Sequence, residues 1–526
     1  MRKLHHIGLL IALVCLATGV ARAQSFRVQC PPSTVTHPVE ANNNSEPTYV
    51  GPTYTVGSGY PAAPANVNGA IKCQQISGGD GYSTMGDGTQ TYMFSFGPLS
   101  GLADIANGQP GTEFPSVFNT PYSGTPLLPG DPATTGLPAF TYNGAVGLVP
   151  ETYTNALGNP VTVINGHVDA RPIEDVGVMN GNIPAPLMAI DEDDEFFLTL
   201  TNVGMIMRPD LFEQHTVHFH GYPNASAFYD GVPDASVAIN IGGSFTYYYL
   251  APDAGTYFWH CHITPPEHLQ MGMVGQLYVR PRQNRVPATT TLYAALQAQQ
   301  TDLRTACPLG SDTAHSDILC SNPLPAVNTG ATGGGKYAYN DGDGSTAYDV
   351  EYPIQIHGFD PNFHFVGMTF NPEGFADMKD KYFLLNGRSY PDTVTAGPLQ
   401  TQSTDGANHF SQPLPSIINI PAGKKALLRI SDLDVTEYQT LASLGIPMDV
   451  IAINAKLLRD QAGNNLNYNT NSITLAGGES IDVILDASDT AKYPPGSVFY
   501  LYTPNLDHLS NDAENFGGLM TEVRIN

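Results

Sequence analysis

Charge is scarce in this sequence. Only 13% of its residues are Asp, Glu, Lys or Arg, whereas Gly (53) and Pro (43) abound. A chain so poor in charge and so rich in turn residues does not build helical bundles; short strands joined by many turns suit it. Basic residues are the scarcest, 22 against 48 acidic, giving a formal charge of −26. That balance excludes nucleic acid and anionic lipid as partners and favours cations. Long apolar runs are lacking too. The N-terminal run Ile7–Val14 is too short for a membrane anchor, and between Met1-Arg2-Lys3 and Ala21-Arg22-Ala23 it reads as a secretory signal peptide, residues 1–23. The mature chain is then expected to begin near Gln24 and to be secreted, whether periplasmic, cell-surface or extracellular. Five of the six cysteines remain in that oxidising setting. Two local disulfides, Cys30 with Cys73 and Cys307 with Cys320, would account for four, and the odd one left is Cys261.

Against this background the stretch from His215 to Met273 is dense. It reads HTVHFHG at 215–221, GTYFWHCH at 255–262 and EHLQMGM at 267–273, with six of the 15 histidines and the only tryptophan, Trp259. Successive side chains of a β-strand point to opposite faces. Cys261 therefore points away from His260 and His262, and His215 away from His218 and His220. One strand pair can serve two sites back to back. Two imidazoles, a thiolate and a thioether, from His215, Cys261, His268 and Met273, make the trigonal set with a weak axial Met that copper favours. Zinc also takes His and Cys, but the Met at a fixed offset points to copper.

These motifs resemble those of the multicopper oxidases, whose last copper domain carries an HxxHxHG motif and a second motif of the HCH…H…M type. The resemblance implies that His215, Cys261, His268 and Met273 are type 1 copper ligands. It implies that His218, His220, His260 and His262 are one half of a type 2/type 3 centre. Asp230 stands where that family places an acidic residue near the centre, for proton delivery; it reads equally as an ordinary turn aspartate before Gly231. The spacing from Cys261 to His268 is seven residues. That is longer than the common one and similar to that of bacterial manganese and iron oxidases.

In chain order, residues 24–84 read as an irregular N-terminal extension tied by Cys30–Cys73. Residues 85–282 read as the copper-binding domain, with a first strand at Thr91–Phe96 and an insertion over 98–176. The acidic cluster Asp191–Glu195 reads as the solvated start of a strand at 196–201, and further strands are expected at 237–241 and 245–250. Residues 283–347 form a linker opening with a possible helix, TTLYAALQAQQTDLRTA. Residues 348–526 resemble a second cupredoxin domain, in which Leu501, Tyr502 and Thr503 stand where His260, Cys261 and His262 stand in the first. His357, His364 and His508 read as structural. The fold expected is all-β: two cupredoxin-like Greek-key β-sandwiches.

The resemblance implies an oxidoreductase that passes electrons from a small reductant, a metal ion or a phenol, through copper to dioxygen. A complete trinuclear centre takes eight histidines, and four stand at the right spacings. The other half is expected from a homo-oligomer or a partner subunit, unless the ligand-free domain covers the His218–His262 face. Two other readings compete: a type 1 electron-transfer or copper-binding protein without a complete oxygen site, and a copper nitrite reductase. In that last family an aspartate replaces His218 and no histidine follows the cysteine, which counts against it here.

Overall fold

The computed structural model describes residues 26–50, 67–123, 141–221, 227–251, 253–292, 334–367, 374–402, 408–460 and 463–526. The expected signal peptide, all but the first three residues of the expected linker helix, and Cys307 and Cys320 lie outside them. Cys30 and Cys73 are joined by a disulfide, and Cys261 is free and buried.

The first unit is a β-sandwich. One sheet has the order β2 (Gln90–Pro98), β1 (Ile71–Thr84), β6 (Glu195–Gly204), β8 (Ser244–Leu250). The facing sheet runs β5 (Met188–Asp191), β10 (Val274–Arg280), β9 (Gly255–His260), β7 (His218–Phe219), and β3 (Glu151–Thr154) and β4 (Pro160–Val163) form a separate hairpin. Alternation builds it. Phe196, Leu198 and Leu200 of β6 enter the core with Tyr247 and Tyr249 of β8, while on the other face Thr199 meets Thr246 and Thr201 meets Ser244, both at 2.8 Å. Trp259 fills the middle of the core, and an added Cβ on Gly275, its neighbour on β10, would lie 2.4 Å from the indole.

Three expectations need correction. Residues 71–84, placed in the irregular extension, form the longest strand of the unit, pairing antiparallel with β2 and parallel with β6. The glycines that disguised it are required by close packing. A Cβ on Gly81 would sit 2.3 Å from the Gly181 carbonyl, and one on Gly78 would sit 2.7 Å from the His215 ring. Residues 237–241 contribute a single bridge, His215 to Ile239, and no strand. The acidic cluster Asp191–Glu195 is buried rather than solvated. Arg282 pairs with Asp193 and Glu192, Arg285 lies against Asp191 and Asp193, and Glu195 accepts from His37 at 2.6 Å and from Tyr248 at 2.7 Å. Arg282 and Arg285, at the junction of the domain and the linker, and the N-terminal arm fold over the cluster and replace its water.

The second unit has a nine-stranded and a five-stranded sheet around its own apolar core, including β11 (Val350–Phe359) and the strands Val498–Tyr502 and Met520–Ile525. It backs β9 and β10 directly. Gln276 donates to the Arg429 carbonyl at 2.9 Å, Ser480 donates to the Thr256 carbonyl at 2.8 Å, and Arg280 and Arg429 share Glu351 at 3.1 Å each.

Candidate metal centre

His215, Cys261 and His268 are fully buried, with donor atoms all within 4.8 Å of one another. His215 is aimed by its bridge to Ile239. His268 lies on the short helix Pro265–Gln270, opened by two prolines in its first turn, which takes up the long spacing after Cys261. Met273 is buried and closes the loop: its N–H donates to the His268 carbonyl at 2.9 Å and its carbonyl accepts from the Cys261 N–H at 3.2 Å. Neither ring nitrogen of His215, nor Nε2 of His268, has a hydrogen-bond partner. Buried polar atoms without partners are costly, and a metal ion at their common centre would satisfy them. The donor chemistry agrees. Burial would raise the Cys261 thiol, but the His268 and His215 imidazoles outweigh it and hold it well below its usual range. His268 lies 3.2 Å from Cys261 Sγ; burial opposes its charge, yet Cys261 and Glu213 raise it to about 9.

On the opposite face His218, His220, His260 and His262 meet. His220 Nε2 and His260 Nε2 are 2.9 Å apart, and the His218 ring lies 4.9 Å from those of His220 and His262. The antiparallel register sets His218 beside His260. Carbonyls only accept, so His218 Nδ1 donates to the Asp230 carbonyl at 2.6 Å and His260 Nδ1 to the Cys261 carbonyl at 2.7 Å. Both rings then present a bare Nε2, the tautomer a metal needs. Burial, then the neighbouring imidazoles, pushes His220 down to about 4; His260, chiefly by burial, falls to about 3. The Asp230 carboxylate is 3.8 Å from His218 Nδ1.

Thus all seven of the His and Cys candidates gather in two clusters, and Met273 lies on the backbone loop that closes the first. Sequence reasoning missed their supports. Thr216 donates its N–H to Cys261 Sγ at 3.4 Å and accepts from the His262 N–H at 3.0 Å. Glu213, partly exposed, lies 3.6 Å from His268 Nε2. Both flank His215 in sequence, the one signal that could have found them. His220 and His260 open onto a cleft of about 480 Å³ whose far wall is the second unit's Leu433–Tyr438 and Ala476–Gly478.

The second unit repeats the first cluster and keeps one of its four donors, His508 in the place of His268. Thr503 N–H donates to the Leu519 carbonyl at 2.9 Å and Leu519 N–H to the His508 carbonyl at 3.0 Å, as Cys261, Met273 and His268 do. Gln439 meets His508 Nδ1 at 3.0 Å, and Glu437 meets its Nε2 at 3.2 Å, repeating His215 and Glu213. The equivalence expected from sequence is therefore displaced by one residue: Thr503, not Tyr502, stands for Cys261.

The sandwich is of cupredoxin type, and its two donor sets could each hold a metal ion. Residues 161–284 match the family model of the multicopper oxidases, whose members bind copper. The chain is similar to the multicopper oxidase MCE of Talaromyces pinophilus, 34% identical over 120 residues, 22% of this chain and 18% of that one. A copper-containing nitrite reductase of Rhizobium meliloti is 34% identical over 109 residues, 20% of this chain and 26% of that one. Among solved structures, the blue copper oxidase of Nitrosomonas europaea covers 72% of this chain and 84% of its own at 18% identity, with a TM-score of 0.43. The chain thus matches under a third of the length of either curated relative.

Proposed function

We propose that this chain is a secreted copper-dependent oxidoreductase of the multicopper-oxidase type. His215, Cys261, His268 and Met273 would hold the type 1 copper, and His218, His220, His260 and His262 would hold copper of the type 2/type 3 class. The observation that carries the reading is their linkage. Cys261 belongs to one cluster, His260 and His262 beside it belong to the other, and the Cys261 carbonyl is itself bonded to His260. Copper so bound supplies one-electron chemistry, with dioxygen as the final acceptor. The protein's part is to aim each imidazole, to exclude water from the buried thiolate and to bring protons, a role open to Asp230. Glu213, beside His268 and partly exposed, favours a cationic reductant such as a metal ion over a neutral phenol.

A second reading is favoured by one observation. Among the described residues the wall facing His220 and His260 carries no histidine, and its position weighs against a second copy meeting that face. The chain would then be a type 1 electron carrier with an incomplete oxygen site. Copper per chain, the visible spectrum and oxygen uptake with metal-ion and phenolic reductants separate the two. More than one copper per chain with oxygen uptake supports the oxidase, and one copper without uptake supports the carrier. Cys261→Ser should abolish the blue absorption and leave the circular dichroism unchanged; a surviving colour would refute the type 1 assignment.

A further inference from the structure

Gln270 is wholly buried and ends the helix that carries His268. Its amide and carbonyl are bonded entirely to the second unit. Nε2 donates to Asp380 Oδ1 at 3.0 Å, Oε1 accepts from the Asp360 N–H at 2.9 Å, and the backbone carbonyl meets His364 Nε2 at 2.9 Å. All three partners are buried. His364 reaches further: its Nδ1 lies 2.6 Å from the Tyr92 carbonyl on β2, two residues before Phe94, whose ring packs edge-on against His268 at 5.1 Å. Burial brings His364 down to about 3, so its ring is neutral and donates to only one of the two carbonyls, and the firm hold on the His268 turn comes from the Gln270 side chain.

We propose that Gln270 is a positioning residue, through which the second unit fixes the turn from His268 to Met273 and sets the geometry offered to the type 1 copper. The inference rests on the reading of His215, Cys261, His268 and Met273 as that copper's ligands. Groups that orient ligands tune a metal site almost as strongly as the ligands do. Two buried side-chain bonds meeting two residues from a ligand make a more specific arrangement than domain packing requires.

Gln270→Leu keeps the bulk and removes both side-chain bonds. Type 1 copper affinity should fall by roughly tenfold or more. The blue band and the copper hyperfine splitting in paramagnetic resonance should shift with it. Gln276→Leu is the control. Gln276 is also buried between the units, bonded to the Arg429 carbonyl at 2.9 Å and Ser431 Oγ at 3.0 Å, with no tie to the turn. It should keep the wild-type band and affinity. Should Gln270→Leu fail to fold, Asp380→Ala removes one of the two side-chain bonds from the other side and is read the same way. A blue wild type whose band, hyperfine splitting and affinity are unmoved in the variant, or moved equally in the control, overturns the clamp alone. A wild type that takes up copper without a blue band overturns the ligand assignment, and the clamp with it.

Discussion

Thr216 sits between two histidine motifs and serves both clusters, one through its N–H and the other through its hydroxyl. At this scale the ligands were legible in the sequence because metal chemistry restricts residue type and strand parity fixes facing. Their supports were not, because Thr, Gly and Glu are common residues whose work depends on what folds against them. Gly78 is the sharpest case. Ala at this position would press its methyl to 2.7 Å from the His215 ring, so Gly78→Ala should cost ~1–3 kcal/mol and disturb the blue band. Chemical denaturation and the copper-loaded spectrum check both effects, and an unaltered spectrum would show that the ring has room to move. Glu213 predicts a selectivity. Glu213→Gln should lower kcat/KM for metal-ion reductants about tenfold, the ~1.4 kcal/mol of one charge interaction, and leave neutral phenols unchanged. Equal losses for both reductants would mean that Glu213 only holds His268.

Among elements, the strands with clean alternation, β6 and β8, lay where the sequence put them, whereas β1 was hidden by its glycines. The acidic start of β6 was misread for a related reason: its partners, Arg282, Arg285 and His37, lie far away in sequence, and local charge patterning does not show them. Burial there has a measurable consequence. Desolvation alone would raise Glu195, but His37, Thr34 and Tyr248 prevail and bring its carboxyl down to about 2. A depressed carboxyl adds stability that is present above the unfolded value, near 4.5, and is lost as pH falls through about 2. Glu195→Gln should therefore destabilise the protein by ~3 kcal/mol at neutral pH. The difference from wild type should shrink steadily as the pH falls from 4.5 toward 2. Denaturation midpoints across that range decide it, and a constant difference would mean that the glutamate acts by packing alone.

At the scale of the whole molecule, the duplication was legible as a motif missing its ligands, but not its register, because no residue type marks the second copy. The register came from backbone bonds, Thr503 to Leu519 and Leu519 to His508, which repeat those of the copper loop. They also show what was lost. Glu437 and His508 remain as Glu213 and His268 do, and Phe383 stacks on His508 at 3.7 Å where Phe94 meets His268. Gln439 stands for His215, Thr503 for Cys261 and Leu519 for Met273, so three side chains separate this buried pocket from a complete donor set. Gln439 bonds to Asp434 at 2.7 Å as well as to His508, so its replacement carries the greatest risk to folding. The triple variant Gln439→His, Thr503→Cys, Leu519→Met should bind one more copper per chain than wild type and gain blue absorption in proportion. Adding Cys261→Ser should leave only the new band, so the two sites can be assigned separately. A folded variant with the wild-type copper count would mean that the repeat of backbone bonds does not carry the side-chain geometry a type 1 site needs.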